Sequence, residues 1–234
     1  QIGSMKLSPV TNLQSNSETV GEIAYRQIRR DIVFAAIAPG TPLRLERLKD
    51  RYLVSVSTLR EIFNRLVSED FVIAEGQRGF QVSPVSQGHF REIASMRELL
   101  EANALKESFE HGDLEWESQV VAAHYKLAQM EALMDAGDHG QIETWKRYDR
   151  EFHAALIAAC GSRVLMDSHR RIFDHFLRYQ MVAIIYRGRI ASDEHKQLLE
   201  CAVSRDHKAA AKILGQHIHA CVEHTFKSGL LDEA

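Results

Sequence analysis

The chain has 234 residues, 45% of them hydrophobic, and a formal net charge of −3. That length suits two compact units, each with its own core. No run of about 18 apolar residues occurs, and no basic stretch leads into an apolar segment at the start, so neither a membrane span nor a secretory leader is expected and a cytoplasmic protein is. Cys160, Cys201 and Cys221 are odd in number and form no C-x-x-C pair, which fits reduced thiols better than disulfides. Charge is unevenly spread: residues 1–85 hold 11 Lys+Arg and 9 Asp+Glu, whereas the remainder holds 18 and 23. A front of +2 on a body of −5 is the direction expected of a DNA-binding N-terminal unit.

Gly3-Ser4-Met5 reads as a tag remnant within a flexible N-terminus over 1–17. Ile23, Ile28, Ile32 and Val33, with Ala24, Ala35 and Ala36, predict a first helix from about Glu18 to Ala36, stopped by Ala38-Pro39-Gly40. Leu45, Leu48 and Tyr52 predict a short second helix; Leu59, Ile62, Phe63, Leu66 and Val67 predict a third, capped by Ser55 or Ser57. Phe71–Ala74 and Phe80–Val82 read as strands of a hairpin around Gly76 and Gly79. Residues 18–85 therefore read as a winged helix-turn-helix. Beyond the linker Ser83–Ser86 strand signals vanish, and six helices are expected over about 87–110, 113–136, 140–159, 162–186, 191–204 and 206–227. The fold class is mainly α, with an all-helical bundle over 86–228 and a tail at 229–234.

With its apolar stripe turned inward, the third helix presents Ser57, Thr58, Arg60, Glu61 and Asn64. Hydroxyls near a helix start suit phosphate or base contacts, and an Arg can hold guanine or clamp a phosphate. Arg44 and Arg47 flank the second helix, and Arg78 and Gly79 lie at the wing tip. Each Arg alone could be a solvated surface charge; together they mark one DNA-docking surface.

In the bundle, Asp149 and His153 are four apart and project from one helix face, while His195 and His217 sit on two later helices. A single histidine on an apolar face is usually a hydrogen-bonded core residue. One Asp with three His, however, is a donor set for a divalent ion, with Zn²⁺ expected and Ni²⁺ or Mn²⁺ as alternatives. Arg97 falls on the apolar stripe Phe90, Ile93, Leu100 and Ala104, so its guanidinium needs an anion, either a neighbouring Glu or an acidic ligand. Arg178 and Tyr186 are further pocket candidates. His219 is expected to be solvated, and Cys221 to be a buried thiol one turn after His217.

Several motifs occur in a fixed order: Pro39-Gly40 followed by Leu45 and Leu48, then Val54-Ser55 followed by Leu59-Arg60-Glu61 and Arg65-Leu66, then the Gly79 hairpin. Downstream come Arg97-Glu98-Leu99-Leu100-Glu101-Ala102, Asp149-x2-Phe152-His153, Glu194-His195 and His217-Ile218. From about 20 to 227 the chain resembles the GntR bacterial repressors, specifically the FadR subfamily with an FCD effector domain, in its smaller six-helix, VanR-like branch. The resemblance implies a homodimeric regulator that binds double-stranded operator DNA. It also implies a metal at Asp149, His153, His195 and His217, and a small carboxylate effector clamped by Arg97. Val56 stands where the family carries Arg, Leu53 where it carries Gly and Thr58 where it carries Pro, so the common operator does not transfer. Ser162 stands near a position where the family often has an effector-touching Asn.

An enzyme is not expected. A metallohydrolase could use the same four ligands, but no His-Glu-x-x-His motif, Gly-rich phosphate loop or serine elbow occurs. A purely structural metal is the other alternative.

Overall fold

The computed structural model describes residues 18–76, 79–183 and 186–231. The putting together of the N-terminal part begins with α1 (Val20–Val33), β1 (Pro42–Leu43), α2 (Leu45–Tyr52), α3 (Val56–Val67), β2 (Val72–Ala74) and β3 (Phe80–Val82). Helix α1 starts at Thr19, whose hydroxyl accepts from the Glu22 N–H at 3.2 Å. It ends at Val33, short of Pro39-Gly40, because Ala35 takes a left-handed φ of 56° and the Ile37 N–H turns back onto the Asp31 carbonyl. Of the two serines able to cap α3, Ser55 does so, accepting from the Thr58 N–H at 3.1 Å. The three strands form an antiparallel sheet in the order β1-β3-β2, with Val72 opposite Val82 and Leu43 opposite Phe80. Strand β1 is an addition to the expected hairpin: two residues are too few to show a period.

Six α-helices follow among the described residues: α4 (Gln87–His111), α5 (Leu114–Asp135), α6 (Ile142–Leu156), α7 (Arg163–Ala183), α8 (Arg189–Ser204) and α9 (His207–Lys227). Ser86, Asp113 and Asp206 cap α4, α5 and α9 through side-chain oxygens. A short 3-10 turn, His139–Gln141, precedes α6. No helix among the described residues is long and apolar enough to cross a membrane.

Two cores result. The bundle core gathers residues such as Phe90, Leu105, Trp116, Val120, Phe152, Phe176, Leu198, Leu214 and Ile218. The winged-helix core gathers Ile28, Ile32, Leu59, Phe63, Leu66, Phe71 and Val82, and it is completed by Phe173 and Leu177 of α7. Helix α7 therefore belongs to both. Polar ties also join it to the N-terminal part: His175 Nε2 donates to the Glu69 carbonyl at 2.9 Å, Arg178 donates to the Ser83 carbonyl, and Asp174 accepts from Arg29 at 2.8 Å. The His175 ring also stacks on Phe71, centroids 4.3 Å apart and 9° from parallel.

Between α4 and α5, Gly112 is extended rather than left-handed, and its role is steric. A Cβ there would sit 2.4 Å from the Trp116 ring and 2.6 Å from the Ser108 carbonyl. Gly112→Ala should therefore lower stability by about 1–3 kcal/mol through forced repacking; urea unfolding followed by helical circular dichroism measures this, and an unchanged midpoint would contradict the close approach.

Candidate metal centre and nucleic-acid interface

Helices α6, α8 and α9 bring Asp149, His153, His195 and His217 to one buried point, where one ligand atom from each lies within 4.8 Å of all the others. His195 Nε2 is 3.4 Å and His153 Nε2 3.9 Å from Asp149 Oδ1. Each imidazole is oriented from behind by a carboxylate. His153 Nδ1 donates to Glu101 Oε2 at 3.2 Å, His195 Nδ1 to Glu131 Oε1 at 2.7 Å and His217 Nδ1 to Glu194 Oε2 at 2.7 Å. With the proton held on Nδ1 of His153 and His195, their Nε2 lone pairs are left for the centre, and neither Nε2 has a hydrogen-bond partner, while His217 Nδ1 also lies 3.0 Å from Arg187 Nη2. Buried, unpartnered nitrogens beside a carboxylate oxygen fit a divalent ion, whose bonds to such atoms run about 2.0–2.2 Å.

Charge tells the same story. Four carboxylates, Glu101, Glu131, Asp149 and Glu194, surround this centre against the three fixed cations Arg97, Lys146 and Arg187. Burial pushes the Asp149 carboxyl up, but Lys146, His195 and His153 outweigh it and hold it well below the usual carboxylate range. Glu101 is likewise pushed up by burial and held far down by Arg97, His153 and His169. Burial pushes His153 and His217 down, toward the neutral imidazole that can ligate. For His195 burial also pushes down, but Asp149 and Glu131 carry it up to about 9, a measure of how strongly the centre favours positive charge.

Arg97 is 1% exposed, and its Nε donates to Glu101 Oε1 at 2.6 Å. The guanidinium lies 4.3 and 4.5 Å from the ring centroids of Phe173 and Phe176, and its Nη2 has no partner. Of the two anions open to Arg97, the structure supplies the neighbouring glutamate. Arg97 thus acts on His153 through Glu101, and it does not line the recess next to the ligands. Lys146 and Arg187 do, together with Asp149, His195, His217, Gln180 and Cys221. Lys146 Nζ is 3.6 Å from Asp149 Oδ2 and donates to Gln180 Oε1 at 3.1 Å; Arg187 Nη2 pairs with Glu194 at 2.6 Å. Sequence reasoning passed over both cations, although Lys146 stands three before Asp149, on the same helix face.

The other pocket candidates, Ser162, Arg178 and Tyr186, do not line this recess. Ser162 uses its hydroxyl to accept from the Leu165 N–H at 3.2 Å, fixing the first turn of α7. Arg178 faces the domain junction, held by Ser83, and burial brings its guanidinium down to about 10. Tyr186 donates to Asp135 Oδ1 at 2.6 Å and lines a neighbouring cavity. His219 is exposed near Glu98, and Cys221 is buried, accepting from Gln180 Nε2 at 3.5 Å.

On the N-terminal part, Ser57, Arg60, Glu61 and Asn64 are exposed on α3, and Thr58 is half-buried. Arg44, Arg47, Arg60 and Gly79 line one surface depression with Val56 and Phe80. Arg78 lies outside the described residues. Leu53, in the turn before α3, has a left-handed φ of 55°, a conformation glycine takes without cost. The Ser55 hydroxyl is 2.7 Å from that of Ser57 and 2.9 Å from that of Thr58, so the three form one cluster at the helix start.

Comparison with known proteins matches residues 21–82 to the model described as bacterial regulatory proteins, gntR family, and residues 92–220 to the FCD domain. The chain is 32% identical over 225 residues to the HTH-type transcriptional regulator BphR of Paraburkholderia xenovorans, covering 95% of this chain and 90% of that protein. It is 30% identical over 202 residues to the HTH-type transcriptional repressor GlaR of Escherichia coli, covering 83% and 90%. Among solved structures, Escherichia coli McbR/YncC superposes with a TM-score of 0.75 at 18% identity, over 91% of this chain and 99% of that one, a likeness of fold.

Removing one member of a buried pair strands the other, so Arg97→Met should lower stability by about 3 kcal/mol. Chemical denaturation checks this, and a variant as stable as the parent would show that Glu101 is satisfied by His153 and His169 alone.

Proposed function

The chain belongs to the GntR family of DNA-binding transcriptional regulators and carries an FCD domain, and from that premise we propose that it is a homodimeric repressor whose operator binding is set by a metal-held carboxylate effector. The observation that carries this reading is the inward-facing set Asp149, His153, His195 and His217, each histidine oriented by its own carboxylate. Zn²⁺ suits three imidazoles and one carboxylate, with Ni²⁺ or Mn²⁺ as alternatives. Bound there, the ion supplies an anchor for a carboxylate oxygen. Lys146 and Arg187 complete the acid-binding side, and Arg97 holds the support beneath His153. The repressor sense follows the GlaR relative, itself a transcriptional repressor by name.

DNA reading falls to α3, with Ser57, Thr58, Arg60 and Asn64 toward the major groove, Arg44 and Arg47 on the flanking backbone and the wing alongside. Two copies would place their recognition helices about 34 Å apart on a near-palindromic site in the cytoplasm. The bundle can influence them through α7. Phe173 packs on His153, with centroids 5.7 Å apart, and on His169 at 5.6 Å, and it also belongs to the winged-helix core. An effector that binds one placement of α7 better than another shifts the population of dimers spaced for DNA.

Arg60→Ala should weaken binding by about 1–3 kcal/mol in a gel-shift titration on a duplex selected with the full chain, at fixed salt. Unchanged affinity would remove α3 from the interface. His153→Ala should abolish metal retention, read by elemental analysis after dialysis, and the response to effector, while DNA binding without effector persists. A variant still released by effector would break the proposed link between ion and acid. Glu131→Gln should weaken metal binding about 10- to 100-fold in chelator competition.

A further inference from the structure

The recess bordered by Asp149, His195 and His217 has a volume of only about 10 Å³, room for one water-sized body. A metal-bound carboxylate cannot keep the rest of its molecule there. Adjoining it, with Trp145 and Lys146 lining both spaces, is a chamber of about 380 Å³, walled further by Met134, Ile142, Met181 and Tyr186. Its volume falls within the range of small-molecule sites, roughly 300–1,000 Å³. Among the described residues its lining is mostly apolar, the polar exceptions being Lys146, the Tyr186 hydroxyl and exposed His139.

The shared border is chemically specific. Lys146 Nζ lies 4.0 Å from the Trp145 ring centroid, so a cation and an aromatic face stand together at the border of the two spaces. Trp145 is 4% exposed, yet its Nε1 donor has no hydrogen-bond partner. A buried N–H left unpaired costs free energy that an acceptor on a ligand would recover. The Tyr186 ring meets Trp145 edge to face, centroids 5.1 Å apart at 88°, and two methionines add adaptable apolar surface.

Resting on the metal-and-acid reading above, we infer that the effector is an amphipathic carboxylic acid. Its acid group lies at the recess between the ligands and Lys146, and its ring-bearing or branched apolar body fills the chamber beside Trp145. Short polar acids would leave that chamber unfilled.

The test is calorimetric titration of the full-length, metal-loaded chain with acetate, phenylacetate, 3-phenylpropanoate and phenylacetamide. The aryl acids should bind about 10- to 100-fold tighter than acetate, from the apolar area they bury, and the uncharged amide should lose most of that binding. Aryl acids should also change Trp145 fluorescence, a signal absent in Trp145→Phe. Filling the chamber with Ile142→Phe, or separately with Met181→Trp, should remove the aryl advantage while leaving acetate and metal binding in place. Metal retention and acetate binding with no aryl preference would overturn the amphipathic-acid inference alone. Failure to bind either metal or any of these acids would overturn the underlying reading and this inference with it.

Discussion

Glu101 is the point on which the rest of the bundle turns. Stripping a carboxylate of water costs several kcal/mol unless donors replace the water, and here Arg97, His153 and His169 do so from three helices. Those bonds fix the ring plane and tautomer of His153, tie α4 to α6 and α7, and place the Arg97 guanidinium over Phe173 and Phe176. Geometry at the ligand cluster is therefore inherited from an ion network one layer below it.

That network also touches the joint between the two cores. Phe173 stands against His153 and His169 on one side and enters the winged-helix core on the other. The next residue, Asp174, holds Arg29 of α1 at 2.8 Å and Arg150 of α6 at 2.9 Å. A small rotation of α7 would alter both sets of contacts together, because packed rings and buried ion pairs hold discrete arrangements and do not deform continuously.

Most of the fold was legible because its elements are long and strongly periodic: the six expected bundle helices match the observed ones within a few residues at each end. What sequence could not supply were features without a period. Strand β1 is two residues long, and α1 stops where Ala35 turns left-handed, before the Pro39-Gly40 signal. At the centre, the spacing of Asp149 and His153 could be read from helix geometry, while the convergence of His195 and His217 on them came from the family resemblance. The choice of anion for Arg97 depends on whether Glu101, one turn along the same helix, reaches it first, and both partners fit the sequence equally well. Position alone suggested Ser162 and Arg178 as pocket residues; packing adds that the Ser162 hydroxyl accepts at the start of α7 and that Arg178 donates to a linker carbonyl. Lys146 and Arg187 look like ordinary surface cations in sequence; only packing shows that they are buried beside the ligands.

Because Phe173 and Leu177 complete the winged-helix core, the DNA-reading segment is not a portable cassette. Cut after the linker, it would expose Phe71 and its neighbours where α7 had covered them and would lose the stacking partner His175. Recombination that joined this N-terminal part to a different sensor would have to bring along a helix presenting equivalent side chains.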